Sequence, residues 1–163
     1  MELRKVTTKD DVEMVRSFFY EIFKEETQYD LGHFEKAISG KHDLKRLEYY
    51  LGYDGNEVVG VSGVYADKNE ECWLGWFGVR PECRRKGYGA AMLDLQLEMM
   101  KNYGYKVCRL YTDKVINKIA VKLYTKKGFQ KDFAYKGNNI TMAKSLDNAI
   151  KAVKWNGKPL EFV

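Results

Sequence analysis

The segment "VRPECRRKGYGAAM", Val79 to Met92, restricts the architecture of this chain more than any other. An aromatic, strand-like run, Cys72–Val79, meets Pro81, which cannot donate a ladder bond and so helps to end the strand. Three cations follow, Arg84, Arg85 and Lys86, then Gly87 and Gly89, and then a helical pattern from about Tyr88. Helices usually open on Ser, Thr, Asp or Asn. This one opens on positive charge and bare backbone. Gly87 and Gly89 can adopt φ > 0 and let another molecule approach the main chain. The first amides of a helix lack partners within it, and the helix dipole adds partial positive charge there. A strand, loop and helix start of this composition suit an anion, and phosphate above all.

The rest of the chain supplies the frame. Leu3–Val6 reads as a first strand, and Thr8 with Asp11 resembles a capping box in which Asp replaces the usual Glu. Val12, Val15, Phe19, Ile22 and Phe23 recur at helical spacing, predicting a helix to about Glu26. Asp30 is the expected cap of a short second helix through Ile38. The period then changes to that of strands. Leu47–Tyr53 and Glu57–Tyr65 form a predicted hairpin around Asp54-Gly55, and Cys72–Val79 follows a turn at Asp67–Glu70. Behind the loop come a helix to Tyr103, a strand Lys106–Thr112, a helix Asn117–Lys127, and a last hairpin of Phe129–Tyr135 with Ile140–Lys144.

The order β-α-α-β-β-β-α-β-α-β-β describes an α/β domain of the α+β type. Its sheet should be mixed but mostly antiparallel, with about six to seven strands and about four helices. Residues 1–146 form the expected domain, and 147–163 an extension on it, with a candidate hairpin at Asn156-Gly157.

Composition narrows the function. The chain of 163 residues fits one core, and no apolar run in it is long enough to span a bilayer. The N-terminus lacks the apolar stretch of a signal peptide, and the cysteines Cys72, Cys83 and Cys108 form no CxxC pair. They are expected to be reduced thiols of a cytoplasmic protein, and His33 and His42 leave little material for a metal site. A net charge of +5 permits anionic partners, but acids and bases alternate without the dense basic tract of a nucleic-acid binder, so no DNA partner is expected.

The P-loop pattern GxxxxGK[ST] is absent, and "GYGAAM" lacks the third glycine of GxGxxG. Instead, Arg84-x-x-Gly87-x-Gly89-Ala90 resembles the [QR]-x-x-G-x-[GA] signature of the GNAT superfamily of N-acetyltransferases. Downstream, "NKIAVKLYTKKGF" is similar to that family's second conserved segment at Asn117, Ala120, Leu123, Tyr124, Gly128 and Phe129. The strong similarity runs from about Trp73 to Phe133; the N-terminal half agrees in layout, and the tail beyond Leu146 does not take part.

The resemblance implies acetyl-CoA as acyl donor, with no metal. Its pyrophosphate would lie on the amides of Arg85, Lys86, Gly87, Tyr88, Gly89 and Ala90, with Arg84, Arg85 and Lys86 neutralising charge. The strand before the loop should carry a bulge and splay from its neighbour. The pantetheine arm would then pair with backbone along Phe77, Gly78 and Val79. The side chains of Trp76 and Phe77 read more simply as core or pocket wall. Asn117 matches the residue that touches the arm, although its position also suits a helix cap. Tyr124 matches the tyrosine beside the CoA sulfur, where a phenol can protonate a leaving thiolate; its plainer role is packing beside Leu123.

For the general base, Glu70, Glu71 and Asp113 are candidates, each reading more simply as a surface or turn residue, and none is assigned. Cys83 lies among cations that could lower its pKa, but direct transfer needs no nucleophile and it reads as a loop residue. His33 and His42 are expected on exposed polar segments. The family implies an amine acceptor, and the acidic, aromatic run Phe18 to Asp30 would suit a small cationic one, although helical spacing reads more simply as Phe19, Ile22 and Phe23 in the core and the acids on solvent. A non-catalytic acyl-CoA-binding module, and an enzyme acting on protein or aminoacyl-RNA amines, are the alternatives; a homodimer is a family expectation.

Overall fold

The computed structural model describes residues 1–24, 31–134 and 137–147. In chain order these form β1 (Glu2–Lys5), α1 (Lys9–Ile22), α2 (Gly32–Ser39), β2 (Arg46–Asp54), β3 (Glu57–Ala66), β4 (Glu71–Val79), α3 (Tyr88–Asn102), β5 (Val107–Asp113), α4 (Lys118–Lys126), β6 (Gln130–Ala134) and β7 (Asn139–Ser145). The element order is the expected one. The strands make a seven-stranded sheet in the order β1-β2-β3-β4-β5-β7-β6. Every neighbouring pair is antiparallel except β4 with β5. The expected extension at 147–163 lies outside the described residues apart from Asp147.

Strand alternation divides the core between the two faces. Tyr49, Leu51, Tyr65 and Trp73 pack with Val12, Val15, Phe19 and Phe34 of α1 and α2. Tyr50, Cys72, Leu74 and Cys108, one residue out of phase, pack with Leu93, Leu97 and Met100 of α3 and Tyr124 of α4. Each large apolar side chain so enclosed contributes about 1.5–3 kcal/mol relative to exposure. All three cysteines are free and buried.

Helix α1 starts as expected. Thr8 Oγ1 accepts from the Asp11 N–H at 3.1 Å, and Asp11 Oδ2 accepts from the Thr8 N–H at 3.0 Å. It ends earlier than Glu26, at Ile22, because Phe23 leaves helical geometry (ψ 58°). The Phe23 ring instead meets Trp76, with centroids 5.0 Å apart. The expected cap Asp30 lies outside the described residues; α2 opens at Leu31, with no side-chain cap. The hairpin turn is also shifted by one residue. Asp54 pairs with Glu57, so Gly55 and Asn56 form the loop. Gly55 has φ 60°, the requirement of a II′ turn at its first position.

Candidate active site

Two departures from regular sheet shape the middle of the molecule. Val61 pairs with Gly78, but Gly63 pairs with Gly75, so Trp76 and Phe77 together face Ser62. This is a β-bulge, and Trp76 within it has φ 44°. The parallel pairing of β4 with β5 covers only Glu71–Trp73 against Val107–Arg109. From Leu74 onward the two strands part.

The main chain of β4 beyond that point serves two sides. The Arg80 N–H donates to Val59 O at 2.8 Å, toward β3. By the alternation of an antiparallel ladder, the N–H of Val79, and of Phe77 two residues before it, is expected to face the other way, toward the gap. The Val79 carbonyl accepts from Arg84 Nε at 3.1 Å, so Arg84 lies against the open edge of β4.

Pro81–Cys83 form a short 3₁₀ turn at the end of β4. Arg85 and Gly87 then adopt left-handed backbone, φ 63° and 80°. Gly87 takes the cap position of α3, with no side-chain cap. A Cβ there would meet nothing within 4 Å, so its demand for glycine is conformational. Gly89 differs from the expectation of φ > 0: it is not among the left-handed residues and lies in the first turn of α3. A Cβ at Gly89 would meet Leu123 at 3.4 Å and Val79 at 3.6 Å, ordinary contact distances, so Gly89 lies where α3 approaches α4 and β4 but a small side chain would fit there. The first helical bond runs from the Ala91 N–H to Gly87 O, which leaves the amides before it directed outward. Arg84, Arg85 and Lys86 are exposed and have no acidic partner among the described residues.

The loop is anchored to the β2–β3 hairpin. The Tyr88 hydroxyl donates to Asp54 Oδ2. That bond raises the Tyr88 phenol to about 12, burial contributing second. The Cys83 thiol donates to Glu57 Oε1 at 3.4 Å. Its pKa is raised, by burial first and Glu57 second, contrary to the lowering expected from neighbouring cations.

Tyr124 of α4 packs against the far part of β4, its ring 6.0 Å from Phe77 and 5.7 Å from Phe129. It is 6% exposed. Burial, with the Cys108 thiol second, raises its phenol above the ordinary value, so it stays protonated. Its hydroxyl has no partner among the described residues. Phe77 and Tyr124 thus meet between β4 and α4, and Gly89 sits beside Val79 and Leu123. Asn117 occupies the cap position of α4 without capping it; its Nδ2 donates to Thr112 Oγ1 at 2.9 Å.

The three carboxylates considered as bases are engaged elsewhere. Glu70 pairs with Lys106 at 3.1 Å, and Asp113 Oδ1 accepts from the Val115 and Ile116 N–H groups. Glu71 is buried, not a surface residue, and pairs with the equally buried Arg109 at 2.9 Å. His33 is half-buried rather than exposed, with Nδ1 accepting from Trp76 Nε1 at 3.4 Å. His42 is also half-buried, and its Nδ1 accepts from the Leu44 N–H at 3.2 Å. No cluster of His, Cys, Asp and Glu able to hold a metal occurs among the described residues. No helix among them is long and apolar enough to cross a membrane.

The model of the Acetyltransferase (GNAT) family matches residues 12–129, from α1 through α4. The chain belongs to that family. Among solved structures, this GNAT chain is similar to PaiA N-acetyltransferase from Thermoplasma acidophilum in complex with coenzyme A. The TM-score is 0.69 at 19% identity, over 89% of this chain and 99% of that one. The ribosomal-protein-S18-alanine N-acetyltransferase from Escherichia coli gives 0.70 at 15%, over 94% and 99%. A GNAT family acetyltransferase from Elizabethkingia anophelis with acetyl-CoA bound gives 0.61 at 16%, over 80% and 89%. At these identities the likeness carries the fold. A search of curated proteins finds no match.

The sequence left two parts of this GNAT site unread. Arg84 bonds the edge of β4 as well as adding charge to the loop, and Trp76 carries the backbone distortion. "GWFG", two aromatics between glycines inside a strand, was the available signal for the second.

Proposed function

We propose that the protein transfers the acetyl group of acetyl-CoA directly to a primary amine within a ternary complex. What supports this reading is the parting of β4 from β5 beyond Trp73, together with a buried, protonated phenol, Tyr124, against Phe77 of β4 and an uncapped start of α3. The left-handed Arg85 and Gly87 curl the loop as backbone anion nests do, and a diphosphate fits amides so arranged. The three unpaired cations beside them add long-range attraction.

Within the gap, the outward N–H groups of Phe77 and Val79 offer hydrogen bonds to the pantetheine arm. One of them donates to the thioester carbonyl, where charge develops on attack. The amine nitrogen attacks that carbon, the C–N bond forms and the C–S bond breaks. Tyr124 gives its proton to the departing sulfur and is reprotonated from solvent. With Glu70, Glu71 and Asp113 engaged, the excess proton on nitrogen leaves through water. The acceptor is a small amine, and Phe23, Trp76 and His33, on the α1–α2 side of the bulge, supply an aromatic wall for it.

A second reading, a macromolecular amine, draws support from the surface beside α4. Val115, Ile116 and Ile119 are 59%, 57% and 85% exposed. Lys114, Lys118 and Lys122 lie beside them in the chain.

Calorimetry with acetyl-CoA tests the donor site, using wild type and Gly89→Trp. That substitution directs an indole toward Val79 and Leu123. Binding by wild type and its loss in the folded variant are expected. Screens of small amines and of peptides then separate the two acceptors, and in either screen Tyr124→Phe should lower kcat by ~10²-fold or more. A folded wild type that ignores acetyl-CoA overturns the proposal.

A further inference from the structure

Trp76 is a bulky residue at φ 44°, where such residues are genuine outliers. Strain of this kind persists only where surrounding structure over-determines it. The surroundings here are specific. The indole meets Phe19 and Phe23, each with centroids 5.0 Å away and rings steeply inclined. Its Nε1 donates to His33 Nδ1 at 3.4 Å. Two residues on, Gly78 admits α1 so closely that a Cβ would run into Ile22 and press on Phe23. The end of α1 and the start of α2 therefore grip β4 from the face opposite Phe77 and Tyr124.

We infer that Trp76 is a positioning residue: its indole, clamped by Phe19, Phe23 and His33, holds the left-handed kink of β4 that presents the Phe77 amide to the thioester carbonyl. The inference rests on the acetyl-transfer reading above. The mechanical argument is that the β-bulge places one extra residue opposite Ser62, and in this chain the two residues of the bulge go to different faces. Trp76 goes to the α1–α2 face and Phe77 to the α3–α4 face, where its ring meets Tyr124. With the indole clamped, the peptide between them has one orientation. Without it, the strand can relax to φ < 0 and turn that amide away from the gap.

The test reads the carbonyl itself. Acetyl-CoA labelled with ¹³C at the thioester carbonyl is bound to wild type, Trp76→Gly and Trp76→Phe, and the C=O stretch is measured by difference infrared spectroscopy. Glycine tolerates the kink but cannot be clamped; phenylalanine keeps part of the clamp. Wild type should bind and show a stretch lowered from that of free acetyl-CoA. Trp76→Gly should bind but lose the lowering, with kcat reduced about 10²-fold, as expected for a donor misplaced by about 1 Å. Trp76→Phe should restore much of both.

If Trp76→Gly does not fold, Phe23→Ala removes one wall of the clamp and should give a partial loss of the shift. A wild-type shift in Trp76→Gly, or in Phe23→Ala where that variant stands in, overturns the inference. Failure of wild type to bind would instead strike the acetyl-transfer reading.

Discussion

Cys83 separates local sequence from local environment. Its neighbours along the chain are Glu82 and Arg84, with Arg85 and Lys86 beyond, a setting that favours a thiolate. The fold buries it to 1% exposure and turns its thiol onto Glu57, and both effects raise its pKa. At pH 7 the thiol should therefore react with a maleimide far more slowly than the same segment as a free peptide. Stopped-flow labelling of the native protein, with Cys72 and Cys108 also buried, checks this directly. Thr8 and Asp11 behave in the opposite way. Their capping box needs only residues three apart, so the sequence contains the whole interaction. Trp76 belongs with Cys83. Its aromatic character is legible, but its φ of 44° depends on rings from α1 and a histidine from α2.

At the scale of elements, strands and helices were read from periodicity to within a few residues, because each buries one face and the pattern records it. The ends were less legible. Helix α1 stops at Ile22 because Phe23 turns toward Trp76, a contact about 50 residues away in sequence. The junction of β4, β5 and β6 was illegible for the same kind of reason. Arg109 on β5 reaches Glu71 on β4 and Asp132 on β6, and nothing in the separate segments links these residues. Arg109 and Glu71 are only 4% and 3% exposed at their side chains. Removing one partner of such a pair leaves a buried charge uncompensated. Arg109→Met should cost ~3–5 kcal/mol, measurable as a lowered urea midpoint. Replacing both, as Glu71→Leu with Arg109→Met, should recover much of that loss.

For the whole molecule, acid stability should depend on Glu48. It is buried near the β1–β2 edge, with Lys5 Nζ at 2.9 Å and Arg46 also paired to it. Burial opposes ionisation, but the hydrogen bonds from Lys5 and Arg46 prevail and the carboxyl lies below its ordinary value. A depressed folded pKa contributes stability above the unfolded value of 4.5, and that contribution is lost as pH falls through the folded value. The urea midpoint of wild type should therefore exceed that of Glu48→Gln at pH 7, and the difference should shrink below about pH 4.5. An unchanged difference at pH 3 would contradict this assignment. The sequence by itself determined the order of elements, the glycine loop that opens α3 and the family, because these depend on periodicity and on short motifs whose chemistry is local. Tertiary structure alone decided where β4 and β5 part, the enclosure of Tyr124 and the clamp on Trp76. Each arises where segments distant in sequence compete for the same space, and no single segment records the outcome of that competition.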